Sequence, residues 1–416
     1  MAKRRVVVTG LGTVNPVGNS VKEYWDGLMN GRSGIGPITK FDVSEFPSKI
    51  GGQLNDWAGP QDPVDPREAK RMDPFTQYAV GASLEALQDA GVDPSPEDRD
   101  RCGVVVGTGI GGLLELQQQH VRMLEKGVRR ISPFTVPKMM GNAAAGTISI
   151  LAGFRGPSFS VQTACASAAN SIGDALRLVQ NDEADLVIGG GAEAALTEIG
   201  LGSFCALKGL STRNDDPEHA SRPWDKDRDG FLLSEGAGVI ILESLERAKA
   251  RGAKIYGEIT GFGMSCDAHH ITAPEPDGAG AKLAMLHSVK DAGINPEDVD
   301  YINAHGTSTV LGDVGEVRAI KAAFGDHARN GLLVSSTKSA TGHLLGASGG
   351  VEVIACLKAL ETGVLPATLN LENPDDECDL DFIPNTPREK QVDYALSNSF
   401  GFGGHNACVI MKRFTG

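Results

Sequence analysis

One order of glycine-punctuated strands and helices is laid down twice along this chain, and that repetition restricts its fold more than any other feature. Val6-Val7-Val8-Thr9-Gly10-Leu11-Gly12 reads as a buried strand closing on a glycine turn, and Gly257-Glu258-Ile259-Thr260-Gly261-Phe262-Gly263 restates it after the midpoint. After the first copy, a helix ends at Ala90-Gly91, Val92-Asp93-Pro94 turns the chain, and the strand Gly103-Val104-Val105-Val106 leads to Gly107-Thr108-Gly109. After the second, Ala292-Gly293, Ile294-Asn295-Pro296 and Tyr301-Ile302-Asn303-Ala304-His305-Gly306-Thr307 follow the same sequence of helix, glycine C-cap, Asx-Pro turn, strand and Gly-Thr. A helix rich in small residues comes next in each half, from Ala166 to about Val179 and from Gly349 to Leu360. Each half then ends on a strand, Gly238 to Glu243 and Ala407 to Met411.

Strands alternating with helices imply a layered α/β architecture. Two related halves, residues 1–255 and 256–416, predict two sheets stacked around shared helices. The near-continuous apolar helix after Cys165 is expected to be buried between them. Two stretches of the first half, Thr39 to Asp73 and Ala206 to Asp229, read as surface excursions.

Net charge narrows the function. At −14 the chain lacks the basic footprint of a general nucleic-acid binder, although a local cationic patch for an acidic protein remains compatible with it. Seven scattered cysteines without a C-x-x-C spacing argue against a disulfide framework or zinc knuckle and point to a reducing cytoplasm. The apolar run after Arg4-Arg5 stops at Thr9-Gly10, too short for a signal peptide, and no run approaches a membrane span.

Of the seven cysteines only Cys165 follows a strand-like run and opens a small-residue helix. Unpaired N–H groups at a helix start favour an anion, so this position is expected to lower the thiol pKa and make Cys165 a nucleophile. His305 and His343 lie in glycine-rich turns of the second half, where strand ends of an α/β fold gather ligands. Asn398-Ser399-Phe400-Gly401-Phe402-Gly403-Gly404 can present backbone N–H groups to a developing oxyanion.

Thr163-Ala164-Cys165, Asn303 to Thr309, Lys338 to His343 and Phe400 to Gly404 together resemble the active-site signatures of β-ketoacyl-acyl-carrier-protein synthases, with similarity from Arg5 to Arg413 and strongest to the elongating type II enzymes. The resemblance implies the thiolase-like five-layer αβαβα fold, a Cys-His-His site of Cys165, His305 and His343, and Lys338 and Glu352 as the accompanying lysine and glutamate. It places pantetheine contacts on Thr307 and Thr309, acyl-pocket walls on Ile110 and Phe204, and the oxyanion and gate group on the N–H groups of Cys165 and Phe402 with Phe400 beside them. No cofactor is required; a structural monovalent cation is expected near Asn303, Glu352, Ser397 and Asn398. Implied partners are a second copy of the chain and acyl carrier protein, the latter docking on Arg67, Lys70, Arg71, Arg129, Arg130 and Lys208. Val310 stands where a proline is common, Ser234 where glycine is usual, and Thr135 where an aromatic often lines the neighbouring subunit's acyl channel.

Rival readings rest on single motifs. Gly107-Thr108-Gly109-Ile110-Gly111-Gly112 satisfies G-x-G-x-x-G after a strand, as in an NAD-dependent dehydrogenase, but no acid for the ribose follows at the expected distance. Gly346-Ala347-Ser348-Gly349-Gly350 satisfies the G-x-S-x-G of an esterase without the buried strand that should precede it. Asp267-Ala268-His269-His270 lacks the second carboxylate of a metal site. Within the resembling family, a polyketide-type condensing enzyme is the alternative to fatty acid elongation.

Overall fold

A computed structural model describes residues 3–61, 63–92 and 99–416; the Asp93-Pro94 turn lies outside them. In the first half β1 (Val6–Val14), α1 (Pro74–Ala90), β2 (Cys102–Gly107), α2 (Leu113–Lys126), α3 (Ala143–Ala152), β3 (Ser158–Phe159), α4 (Ser167–Gln180), β4 (Leu186–Glu193), α5 (Glu198–Ala206) and β5 (Gly236–Ser244) succeed one another. The second half runs β6 (Gly257–Cys266), α6 (Ala279–Ala292), β7 (Tyr301–Asn303), α7 (Val310–Phe324), β8 (Leu333–Ser335), α8 (Ser348–Thr362), β9 (Tyr394–Gly401) and β10 (His405–Lys412).

The strands lie side by side as β3-β2-β4-β5-β1 and then β6-β10-β9-β7-β8, so the second half mirrors the first strand for strand. In both, the two outermost pairings are parallel and the others antiparallel. A short antiparallel contact, Val7 opposite Glu258 and Val8 opposite Gly257, joins the two sheets.

The repeated glycines have a packing reason. A Cβ at Gly12 would lie 1.9 Å from the Ala82 carbonyl oxygen of α1, and one at Gly263 would lie 2.1 Å from the Ala284 carbonyl of α6. Each outer helix therefore sits directly on its strand, which only glycine permits.

Three apolar clusters divide the layers. The outer face of the first sheet packs on α1 and α3, and that of the second on α6 and α7. Between the inner faces lie α4 and α8, with Ile172, Leu176, Val353 and Ile354 fully buried. Truncating Ile172 to Ala would cost about 2–5 kcal/mol, because such a site cannot collapse around the cavity. The arrangement is the five-layer thiolase-like fold.

Both expected surface excursions are mostly exposed or half-buried, but each sends residues into the interior. Ile50 is buried, Gly51 approaches the Leu233 carbonyl, and Phe41, Val43 and Phe46 pack on the cluster that contains Cys165. In the other stretch Trp224 and Asp225 are fully buried, and Arg222 pairs with Asp225 at 3.0 Å. Each is thus a surface excursion anchored by a few buried residues, the second with the help of the buried Arg222–Asp225 pair. In the first sheet β2 and β4 are internal strands, and the open edge is β3, with Ser158 and Phe159 exposed. No helix among the described residues is long and apolar enough to cross a membrane.

Candidate active site

Cys165 occupies a tight turn, Ala164–Ala166, that feeds α4. Ala164 takes the left-handed conformation at φ 50°, a strained choice for a residue with a side chain. Ser167 holds the turn: its hydroxyl accepts from the Thr163 N–H at 2.9 Å and donates to the Ala164 carbonyl at 2.7 Å. Gly401 presses against the same turn, where a Cβ would lie 2.6 Å from the Thr163 carbonyl oxygen and 3.0 Å from the Cys165 nitrogen. The result is a cysteine 7 % exposed, its sulfur at the wall of a cavity of about 540 Å3, with the backbone N–H groups of Phe402 and Cys165 facing it.

Both histidines reach this cavity from the second half. His343 Nε2 lies 3.0 Å from Cys165 Sγ, and the His305 and His343 rings meet edge-on with centroids 5.2 Å apart. Phe231 abuts the His343 ring at 5.5 Å and Phe400 the His305 ring at 5.6 Å. Burial, reinforced by the nearby Lys338 charge, holds both imidazoles well below their usual range, so each is neutral near pH 7. Lys338 is buried in an ion pair with Glu352, and its Nζ lies 3.5 Å from His305 Nδ1. An ammonium only donates, so the His305 proton resides on Nε2.

The helix start does not keep Cys165 as a thiolate. Burial pushes the thiol up to about 12, outweighing the Lys338 charge and the two N–H groups that favour the anion. The resting group is the thiol. The sequence placed the sulfur correctly at a helix start but held no information about its desolvation.

The remaining expected residues distribute as follows. Thr307 and Thr309 line the cavity, their hydroxyls 3.0 Å apart. Ile110 and Phe204 also line it, with Ile110 44 % exposed and Phe204 packed edge-on against Phe231 at 5.6 Å. Phe402, 37 % exposed, stands at the mouth. Thr135 lies off the cavity of its own chain, bonding Glu115 and the Ser132 carbonyl. Arg67, Lys70, Arg71, Arg129, Arg130 and Lys208 are all exposed. The Arg71 guanidinium lies 5.2 Å from the Phe134 ring, which brings the helix Pro66–Ala69 alongside the segment carrying Arg129 and Arg130; Lys208 is on the cavity rim.

Asn303 Oδ1, Glu352 Oε2 and Ser397 Oγ are buried without a hydrogen-bond partner, and Asn303 and Ser397 sit opposite each other on β7 and β9. Hard oxygens left unpaired in this way suit a small cation. Asn398 does not present its side chain with them: its amide donates to Glu316 and its oxygen accepts from the Cys408 thiol.

Three residues escaped the sequence reading. Glu193, at the end of β4, accepts from the N–H groups of Gly109 at 2.7 Å, Gly346 at 3.1 Å and Ile110 at 3.3 Å, and from the Thr108 hydroxyl at 3.1 Å. Burial nonetheless pushes it up to about 7. This carboxylate fills the amide-lined turn of the G-x-G-x-x-G motif, where a dehydrogenase would seat a pyrophosphate, and the nicotinamide reading falls with it. Glu316 on α7 accepts from the N–H groups of His305 and Gly306, both at 2.8 Å, and thereby fixes the His305 turn. Ser348 places its hydroxyl 2.9 Å from His343 Nδ1. Only Ser348 had a local signal, the G-x-S-x-G run. The His269-His270 pair is in a loop, where His270 Nδ1 accepts from Thr272 and Ala273 N–H groups, and no described group of residues is set to hold a metal.

Comparison with known proteins agrees with this geometry. The N-terminal domain of β-ketoacyl synthases matches residues 3–248, and the C-terminal domain of the same family matches residues 256–372. The chain is 55 % identical to a 3-oxoacyl-[acyl-carrier-protein] synthase 2 of Synechocystis over 100 % of its own length and 99 % of the relative's. It is 49 % identical to the like-named protein of Coxiella burnetii, covering 99 % of each. A ketosynthase solved with its type II polyketide acyl-carrier protein superposes with a TM-score of 0.93 at 34 % identity, covering 99 % of this chain and 100 % of that one. A β-ketoacyl synthase from Burkholderia phymatum gives 0.92 at 34 %, with the same coverage. With both family domains matched in order and near-complete relatives at about half identity, the chain belongs to the β-ketoacyl synthase family.

Proposed function

We propose that this chain is an elongating β-ketoacyl-acyl-carrier-protein synthase that joins a Cys165-bound fatty acyl group to malonyl-acyl-carrier protein with loss of carbon dioxide. The observation that carries this reading is the convergence of Cys165, His305 and His343 on one cavity, two neutral imidazoles beside a thiol. The 3-oxoacyl-[acyl-carrier-protein] synthase 2 relatives, at 55 % and 49 % identity, favour fatty acid elongation over the polyketide role of the 34 % neighbour.

Cys165 sulfur attacks the thioester carbonyl of an acyl-pantetheine, and the oxyanion takes the N–H groups of Cys165 and Phe402. The bond from the acyl carbon to the pantetheine sulfur breaks, and the thiol proton ends on the departing pantetheine sulfur. Malonyl thioester then enters past Thr307 and Thr309. Its carboxylate C–C bond breaks, carbon dioxide leaves, and the electron pair moves into an enolate whose oxygen is hydrogen-bonded by His305 and His343. Neutral imidazoles suit this step, since each offers an N–H without surrendering a proton. The enolate carbon attacks the Cys165 thioester, the sulfur leaves as thiolate, and one proton from water restores the thiol. Lys338 and Glu352 orient His305 rather than touch substrate. The sequence needs no redox group. A monovalent cation held by Asn303, Glu352 and Ser397 would brace the end of β7 against the middle of β9 and offset the Glu352 charge.

Acyl carrier protein, an anion like this chain, would dock on the exposed Arg67, Lys70, Arg71, Arg129 and Arg130 and on Lys208 at the cavity rim. The chain would pair with a second copy through the open β3 edge, where Phe159 is exposed and the adjoining helix α3 exposes Ile150, and would work in the cytoplasm. Transfer of a radiolabelled acyl group to the protein, lost in Cys165→Ala, tests the reading. That variant should still decarboxylate malonyl thioester, whereas His343→Ala should not. Chain elongation by Cys165→Ala at the intact enzyme's rate would end the proposal.

A further inference from the structure

We infer that Ser348 is a positioning residue that sets the tautomer of His343, holding Nε2–H toward the cavity; what that N–H does there rests on the condensing reading above. The duplication supplies the comparison. In the first half, the tight turn Ala164–Ala166 precedes α4, whose first residue is Ser167; in the second, the turn Leu345–Ala347 precedes α8, whose first residue is Ser348. Both turns open on a left-handed residue, Ala164 at φ 50° and Leu345 at φ 47°. The two serines are therefore structural counterparts, yet their hydroxyls differ in employment. Ser167 spends its hydroxyl on the backbone, at Thr163, Ala164 and Thr108. Ser348 bonds instead to His343 Nδ1 at 2.9 Å, five residues back, and to nothing else among the described residues.

That single partner decides the direction of the bond. Ser348 is 1 % exposed. Were its oxygen to accept from an Nδ1–H, its own O–H would be left buried without an acceptor, the costlier kind of orphan. With Ser348 donating to Nδ1, no buried proton is stranded. His343 is neutral, so its one ring proton then resides on Nε2, 3.0 Å from Cys165 Sγ. Phe231 and His305 pack edge-on against the ring and oppose a flip that would exchange the two nitrogens. His305 reaches the same tautomer by a different route, with the Lys338 ammonium at its Nδ1. Two unlike donors, a hydroxyl and an ammonium, thus turn both imidazoles lining the one cavity into Nε2–H tautomers.

The test is two-bond 1H–15N correlation on the full-length enzyme with [15N]histidine, assigning His343 by the signals lost in His343→Gln. The intact enzyme should show His343 with a bare Nδ1 and a protonated Nε2 across the neutral range. Ser348→Ala should mix the tautomers and lower kcat for malonyl-thioester decarboxylation by about tenfold, the worth of one ordinary hydrogen bond. KM and the rate of acyl transfer to Cys165 should change far less, and Ser348→Thr, which keeps the hydroxyl, should restore the tautomer. A protonated Nδ1 in the intact enzyme would overturn the donor assignment without recourse to any variant. An unaltered tautomer and decarboxylation rate in Ser348→Ala would overturn the positioning role. A chain inert toward malonyl thioester, but with the Nε2–H form present and lost in Ser348→Ala, would uphold Ser348 and sink the condensing reading instead.

Discussion

Replacing Gly401 by Ala isolates how tightly the oxyanion donors are placed. Gly401 lies at the end of β9 outside the left-handed region, so an alanine meets no backbone strain and the whole effect is contact. Its Cβ would stand 2.6 Å from the Thr163 carbonyl oxygen, short of the 3.4 Å where ordinary contact begins, and 3.0 Å from the Cys165 nitrogen. Both are backbone atoms of a turn already held by Ser167, so the clash cannot be relieved by a rotamer. The strand end and the cysteine turn must separate by most of an ångström, moving apart the N–H groups of Phe402 and Cys165. Losing one oxyanion donor costs about 100- to 1000-fold in kcat, and a misplacement of about 1 Å costs about 100-fold. Since the displacement is shared between two segments, acyl transfer to Cys165 should fall by about 10- to 100-fold. Overpacking of this kind should also cost about 1–3 kcal/mol of stability. Rapid-quench measurement of acyl-enzyme formation reads the first effect and denaturant melts the second. Malonyl decarboxylation, which depends on His305 and His343, should drop much less. Acyl transfer at the intact rate in Gly401→Ala would show that the two N–H groups are not the oxyanion site.

Lys338→Met strands the buried Glu352 carboxylate and should destabilise the fold by about 3–5 kcal/mol in denaturant melts; a loss below 1 kcal/mol would mean that Glu352 finds another partner. Because the Cys165 thiol is pushed up to about 12, its alkylation by iodoacetamide in the empty enzyme should climb with each step from pH 7 to pH 10, as the thiolate fraction grows. A plateau already reached at neutral pH would contradict a protonated resting state. Phe402→Ala should shift acyl-chain selectivity and acylation more than malonyl decarboxylation, and an unchanged chain-length profile would argue against a gate. Reversing the charges of Lys70, Arg71, Arg129 and Arg130 together should raise KM for acyl carrier protein and remove its salt dependence while sparing short acyl-pantetheine substrates; single reversals should be almost silent, exposed pairs being worth about 0.2–1 kcal/mol.

The residues themselves carried the duplicated plan, because strand periodicity, glycine turns and small-residue helices are local properties that survive in any reading of the chain. They also marked Cys165, His305 and His343, each set in a short run whose neighbours are fixed by the turn it must make. What the chain order could not convey was which distant groups meet. His343 and Cys165 are 178 positions apart and touch only because α4 and α8 share the middle layer. Glu193 reaches its amide turn across 84 positions, and nothing near it in sequence separates a carboxylate that fills that turn from one that faces water. The protonation of Cys165 belongs to the same class: a helix start favours the anion locally, but desolvation by Phe231, Leu196 and their neighbours outweighs it. Ser348 and Ser167 open equivalent helices, and their different partners exist only once the two halves have closed on each other. Local conformation follows from local sequence, whereas burial, and the charge state and hydrogen-bond direction that burial dictates, are properties of the packed whole.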